Sequence, residues 1–352
     1  MRSTLFHIPA QLGGLPLYGW GLLLAVWAVV GAVAWARAAR REGFGRAAAT
    51  MGLPLALAGA FILWGLPALD DGQGVPIRGY GLMLLVAALA GTWLSVRRGR
   101  AVGIDADTIL ALGVEVFLWG IVGARLFYVI EYHEQFFSAG IVAAVPKVLN
   151  VAAGGLVVFG ALPTAAAAAW LFARRRGLPI LALADVIAPG LLVGLAIGRV
   201  GCFLNGCCYG GPCDLPWAVR FPPESPPWLD QAARGLLPPP AAGQPPPWSL
   251  PVHPAQLYAA IDAALLAAVA IGFTPLARRP GEVFALVLTL HPLARLLLEA
   301  IRVDEPPALG TPLSISQLVS LVLLALAAAL WWWLARQPVP PRASVGRTDR
   351  RL

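Results

Sequence analysis

The chain has 352 residues, of which 59% are hydrophobic and only 12% charged. Soluble globular domains carry about 25% charged residues, so a large water-exposed domain is excluded. The net charge of +8 does not point to nucleic acid, because the basic residues form short clusters between apolar runs, as orientation signals of membrane proteins do.

Met1 to Gly14 lack the basic start, apolar stretch and small-residue cleavage site of a signal peptide. The first apolar run is therefore expected to act as an uncleaved insertion signal. Apolar stretches of the roughly 17 to 25 residues that cross a bilayer recur from end to end. With their breakers they predict about nine spanning helices, Leu17–Ala36, Ala47–Leu69, Tyr80–Val96, Ile109–Ile130, Gly155–Ala173, Ile180–Phe203, Ala255–Phe273, Val283–Ile301 and Leu313–Leu334. The fold class is thus all-α, a polytopic transmembrane helical bundle.

The connections alternate in charge. Arg37, Arg40, Arg41 and Arg46 follow the first helix, Arg97, Arg98 and Arg100 the third, and Arg174, Arg175 and Arg176 the fifth. Arg278 and Arg279 follow the seventh, and Arg336, Arg342, Arg347, Arg350 and Arg351 the last. The intervening connections are poor in basic residues and carry Asp70, Asp71, Glu131, Glu134, Asp304 and Glu305. The positive-inside rule then puts the N-terminus outside and the C-terminus in the cytoplasm. The Pro-rich stretch 210–252, with Pro238–Pro240 and Pro245–Pro247, is expected to be extended or irregular outside the membrane. The tail 337–352 is polar, and disorder is expected there. Pro16-Leu-Tyr-Gly-Trp-Gly is echoed by Pro76-Ile-Arg-Gly-Tyr-Gly. The echo suggests a duplicated helical pair, although Gly-aromatic-Gly is also common at membrane interfaces.

Three arginines fall inside predicted spans: Arg125, Arg199 and Arg295. Each costs several kcal/mol to bury, roughly 2.5 on insertion scales. In the predicted topology all three lie near the ends of helices that run from the cytoplasm outward, so they share one depth. Glu299, at i+4 from Arg295, can neutralise part of this charge. The positive charge left over suits an anionic phospholipid headgroup, since a guanidinium grips phosphate with two parallel hydrogen bonds. A lone arginine near a helix end often only snorkels to the interface; three at one depth favour a site. Cys202, Cys207, Cys208 and Cys213 are confined to one short segment. Their spacing is not that of a C-x2-C zinc knuckle, and disulfide bridging or packing, a metal and a redox role all remain open.

The residues around these arginines resemble those of the prolipoprotein diacylglyceryl transferase family. The matching blocks are Gly123-Ala-Arg-Leu-Phe-Tyr128-Val, Asp185-Val-Ile-Ala-Pro189, Gly198-Arg199-Val-Gly-Cys-Phe-Leu-Asn205-Gly and His253-Pro-Ala-Gln256-Leu-Tyr258. Arg295 with Glu299 and Arg302, Ser316-Gln317, and Tyr80-Gly-Leu-Met complete the set. They cover about Arg78 to Leu334. The resemblance implies a multi-pass enzyme of the bacterial cytoplasmic membrane, with no cofactor and no metal. It would move a diacylglyceryl group from phosphatidylglycerol to a cysteine thiol near the signal peptide of a prolipoprotein, releasing glycerol phosphate. It implies catalytic roles for Arg199, Arg295 and Glu299, and substrate contacts by Tyr80, Arg125, Arg199, Asn205, His253, Gln256, Tyr258 and Arg302. Residues 1–76 lie outside it and are expected to form an extra helical pair before a transferase-like membrane domain, 77–336.

There are departures. Phe159 stands where the family often has His or Tyr, Cys202 where it has Asn, and Cys207 where it has Glu. His291 then becomes the candidate base, since imidazole titrates near neutral pH. Three rival readings stay open. An anion transporter would spread its charges along a path, a thiol-redox or metal protein would leave the arginines unexplained, and a non-catalytic lipid-binding relative would fit Phe159.

Overall fold

The computed structural model describes residues 4–138, 140–150, 154–238, 245–303 and 310–339. Nine long helices run through them: α1 Leu22–Glu42, α2 Phe44–Ala68, α3 Gly79–Ala101, α4 Ala106–Glu131, α5 Val158–Arg175, α6 Ile180–Asn205, α7 Ala255–Phe273, α8 Glu282–Glu299 and α9 Ile315–Arg336. Among the described residues seven helices are long and apolar enough to cross a membrane. The other two, α5 and α8, have 18 residues each. The α5 helix ends on Arg174 and Arg175, and α8 carries Glu282, Arg295 and Glu299. The polytopic helical bundle expected from composition is what the chain forms.

Helix α6 is the centre of the bundle. It packs against α3, α7, α8 and α5, and Leu183, Val186, Ala188, Pro189, Gly190, Leu192 and Gly201 along it are buried. Its closest neighbour is α3, because small residues line both faces. A side chain at Gly91 would come within 2.7 Å of the Gly190 carbonyl. Ala87 faces Gly194 in the same way, and Met83 and Tyr80 face Gly201. With no hydrophobic drive between helices in lipid, such close backbone approach is what joins them. The same device joins α4 to α5 at Gly123 and Gly160. On α7, Ala260, Ala263, Ala267 and Ala270 are buried at helical spacing.

Four short strands lie outside the helices. Thr4–Ile8 (β1) pairs antiparallel with Val75–Arg78 (β4), with a register irregularity between Thr4 and Phe6, while Gln11–Leu12 (β2) pairs with Leu15–Pro16 (β3). The chain between α1 and β4 also departs from a uniform helix. Phe61–Gly65 within α2 takes a wider π-helical turn. The segment after α6 is more ordered than its proline content suggests. It holds a helix, Pro226–Ala233, and isolated bridges of Pro212 and Val219 to Val252. Phe221, fully buried, packs with Tyr209 and Val252. Pro239 and Pro240, Asp304 and Glu305, and the tail from 340 onward lie outside the described residues.

Candidate functional site

The C-terminal ends of α4, α6 and α8 and the N-terminal ends of α3, α7 and α9 meet at one end of the bundle, which gathers most of the charged and polar groups singled out by sequence. Helix α6 stops there because Gly206 takes a left-handed conformation, φ 79°, and caps the helix. Arg199 projects from α6 just before this stop. It is half-buried, and no hydrogen bond or ion pair engages its guanidinium among the described residues. Tyr80 in the first turn of α3 and His291 on α8 both lie within electrostatic reach of Arg199. His291 is also within reach of Arg295, and its Nδ1 is buried without a hydrogen-bond partner among the described residues.

Arg295, by contrast, is held. Its Nη2 lies 3.0 Å from Glu299 Oε2 and donates to Ser316 Oγ at 2.9 Å. The buried Glu299 carboxylate also accepts from Ser314 Oγ at 2.7 Å and has Arg302 Nε at 3.9 Å. Ser314 is the N-cap of α9, in a capping box with Gln317. One element therefore both starts a helix and fixes the acid that orients two guanidinium groups. The S-x-x-Q pattern of Ser314 to Gln317 is legible as a helix start, yet its link to Glu299 is not. Arg295 and Arg302 both approach the Glu299 carboxylate, and Arg199 lies toward the same end of the bundle.

Two expected substrate contacts are engaged elsewhere. Arg125 is 8% exposed, and all its N–H donors are taken. Nε donates to Val148 O at 2.9 Å, Nη1 to Gly154 O and Gly155 O at 2.7 and 3.0 Å, and Nη2 to Lys147 O and Asn150 O at 2.6 and 3.0 Å. The rings of Tyr128 and Phe136 flank it. A guanidinium has five N–H bonds, so none is left for phosphate. Arg125 ties the connection before α5 to α4, which corrects the role expected for it. Gln256 is fully buried, and its Nε2 donates to Cys207 O at 2.7 Å. It anchors the turn after α6 through this bond, while its Oε1 is buried without a hydrogen-bond partner among the described residues.

The remaining candidates lie between these extremes. His253 Nδ1 is 3.4 Å from Tyr258 Oη, which accepts from Trp217 Nε1 at 2.6 Å. The His253 backbone bonds to Gly210 and Gly211, so this block ties the long loop to α7. Trp217 carries no sequence signal that would have placed it there. Asn205 is exposed and lines a cavity of about 760 Å³ between β1 and the loop residues Phe221–Pro226. That cavity does not include Arg199, His291 or Arg295. At the opposite end, Asp185 accepts from Gly281 N and Phe284 N at 2.6 and 2.7 Å, capping α8. Arg98 donates there to Asp185 O, Val186 O and Thr274 Oγ1. This second polar cluster was not foreseen, because its partners are mostly backbone groups.

The four cysteines are free thiols. The Sγ atoms of Cys202, Cys207 and Cys208 lie within 4.8 Å of one another, and Cys213 is not part of the group.

Fold and site together define an integral-membrane helical bundle with an arginine cluster where helix ends meet. The chain belongs to the prolipoprotein diacylglyceryl transferase family, whose profile matches residues 68–333. Among curated relatives, the phosphatidylglycerol–prolipoprotein diacylglyceryl transferase of Rhodopirellula baltica is 38% identical over 67% of this chain. The enzymes of that name from Gloeobacter violaceus and Clostridium tetani are 34% and 29% identical over 76% and 72%. The match covers 50% of the longer Rhodopirellula protein, but 93% and 92% of the other two.

Proposed function

We propose that the chain transfers a diacylglyceryl group from phosphatidylglycerol to the cysteine thiol of a prolipoprotein, in a bacterial cytoplasmic membrane. The observation that carries this reading is the guanidinium of Arg199, which no hydrogen bond or ion pair engages among the described residues and which lies near the helix ends with Tyr80, His291 and Arg295. An unpartnered cation in lipid is costly unless a ligand supplies the anion. Phosphate supplies it, and the fork of Arg199 matches its geometry.

In the transfer a sulfur–carbon bond forms and the carbon–oxygen bond to phosphate breaks. The leaving electron pair settles on the phosphate, where Arg199 stabilises it and Arg295, steadied by Glu299, adds charge. Arg302, near Glu299, adds to the same field. His291 accepts the thiol proton, because its Nδ1 has no hydrogen-bond partner among the described residues. Tyr80, Asn205, His253 and Tyr258 line the approach. We infer further that the chain is N-out and C-in with nine spans, from the alternation of arginine clusters, and that residues 1–76 are an appended helical pair. One observation favours a lipid-binding relative without activity: Phe159 offers no donor or base.

Complementation of a bacterial strain depleted of its own transferase separates the two. Growth restored by the wild-type chain, and by no Arg199→Ala chain expressed to the same level, supports transfer. A well-inserted wild-type chain that never restores growth, and leaves purified phosphatidylglycerol unconsumed with an acceptor peptide, refutes it.

A further inference from the structure

Three thiols converge where no catalytic role has yet been found for them. The convergence is built by backbone. Gly206 ends α6 in a left-handed turn, and Cys208 also takes a left-handed conformation, φ 61°. Non-glycine residues adopt that region rarely, and where they do the surroundings must hold them there. Here the buried amide of Gln256 grips the Cys207 carbonyl at 2.7 Å. The turn thereby folds Cys207 and Cys208 back onto Cys202, and their Sγ atoms come within 4.8 Å of one another.

A tetrahedral zinc site with Zn–S bonds of 2.3 Å places sulfurs about 3.8 Å apart. Closure onto an ion therefore asks each pair to move by about an ångström at most. A disulfide needs one pair at about 2.05 Å and leaves the third thiol unused. The neighbours Cys207 and Cys208 are poorly placed to bridge, for the same geometric reason. Charge also fits an ion. Three thiolates around a divalent cation leave one negative charge, and Arg199 and Arg302 both lie within electrostatic reach of Cys208. Among the described residues no His, Asp or Glu joins the group. The three sulfurs cover one face of an ion and leave the fourth tetrahedral position open, which is the pattern of catalytic zinc sites.

We propose that Cys202, Cys207 and Cys208 hold a zinc-class divalent cation as three thiolates, and that its open position takes the thiol of the protein substrate. The second half rests on the transferase reading above. A thiol that coordinates such an ion loses its proton at neutral pH, here to His291. The bound thiolate sulfur then donates its electron pair to the glyceryl carbon, and the carbon–oxygen bond breaks with its pair going to the phosphate held by Arg199. No oxidant or reductant is needed. The product is a neutral thioether, a weaker ligand than the thiolate it replaces, and so it leaves the ion.

The test uses the full chain, purified in detergent without chelator. Elemental analysis should find about one zinc-class ion per chain in wild type and in Cys213→Ser, and roughly tenfold less in Cys202→Ser and Cys208→Ser. Replacement of the ion by cobalt(II) in intact wild-type protein gives a reading that does not depend on the variants folding. Thiolate-to-cobalt absorption should match three sulfur ligands and should grow when an acceptor-cysteine peptide is added, but not its serine counterpart. No ion together with a disulfide by mass spectrometry, monovalent copper in place of a divalent ion, or full metal content in Cys202→Ser would each overturn the site. Unchanged cobalt absorption with the cysteine peptide would overturn the substrate half. A chain that transfers lipid without metal sinks this inference and leaves the function standing. A chain that loads cobalt on three thiolates but never uses phosphatidylglycerol leaves the metal site and sinks the transferase.

Discussion

The same short pattern occurs twice and meets two different fates. In Pro16-Leu-Tyr-Gly-Trp-Gly, Gly19 has φ 67° and the helix begins only at Leu22, so Trp20 stands 84% exposed. In Pro76-Ile-Arg-Gly-Tyr-Gly, the helix begins at Gly79 itself, and Tyr80, 38% exposed, lies against α6 near Arg199. The pairs of helices differ likewise. Gly31 is the one buried residue described on α1, whereas α6 has seven. A motif therefore becomes part of a site through the helix it packs on. For α3 that helix is α6, approached backbone to backbone; for α1 it is mainly α2, through larger side chains such as Trp27 at Gly59.

The largest expected effect separates two arginines at the same end of the bundle. Arg199→Ala should lower transfer by roughly 2 to 5 kcal/mol, about 30-fold to several thousand-fold, while thermal stability stays near wild type. Arg199→Lys should also be poor, because a point charge lacks the planar fork. Arg125→Ala should do the reverse and lower the melting temperature first, since five part-buried carbonyls lose their donor. Normal transfer by Arg199→Ala, or normal stability of Arg125→Ala, would break the assignment.

Next in size is a packing contrast between the regions. Gly190→Leu must push α3 from α6, because the Gly91 carbonyl and Ser95 occupy the space. Overpacking of that kind costs about 1 to 3 kcal/mol. Gly31→Ala meets only the flexible tip of Leu55 at 3.2 Å and should change stability by less than about 0.5 kcal/mol. Equal effects in thermal unfolding would mean that the first pair is as tightly packed as the core. Smaller again is the pair of aromatics. Tyr80→Phe removes one hydroxyl and should cost about 1 kcal/mol, roughly fivefold in transfer. Trp20→Phe should leave transfer unchanged.

Much of this was legible in advance, and the exceptions have a common cause. Nine spanning helices were expected; nine long helices are present among the described residues, seven of them long and apolar enough to cross a membrane, with α7, Ala255–Phe273, at the expected bounds. The start of α1 was placed at Leu17, too early, because hydropathy does not register the left-handed Gly19. The Arg295–Glu299 pair follows from i+4 spacing and is found at 3.0 Å. The roles of Arg125, Gln256 and Asp185 did not follow from sequence. Each is satisfied by backbone groups of remote segments, and backbone groups carry no residue identity to read. The convergence of three cysteines depends on the conformation of Gly206 and Cys208, which spacing alone does not give.

The smallest effect concerns how the N-terminal segment is fastened to the rest. Tyr18 Oη donates to Asp70 Oδ2 at 2.5 Å, and Asp70 Oδ1 accepts from Gly72 N and Gly74 N. His7 Nε2 on β1 lies 3.1 Å from Asp71 Oδ2. The Tyr18 hydrogen bond, then the Gly72 amide, hold the Asp70 carboxyl below its ordinary value of 3.8. The Gln73 amide and then His7 do the same for Asp71. A depressed acid stabilises the fold above its unfolded value and loses that contribution as pH falls through the folded one. For Tyr18, the hydrogen bond to Asp70 pushes the phenol up to about 12. Its contribution is therefore complete below the ordinary value of 10.0 and is lost as pH rises toward 12. Pairing of β1 with β4 should thus hold on a plateau from weakly acid to weakly alkaline pH and loosen on both sides. Asp71 is exposed and Asp70 partly so, and both lie outside the helices, so the loss should stay local and leave the helices intact. Amide exchange of Thr4–Ile8, corrected for intrinsic rate, should lose protection as pH drops below 3.8, and Asp70→Asn should flatten that acid limb. Protection that is the same at pH 6 and pH 3 would mean that the strand pairing, and not the carboxylates, fastens the segment.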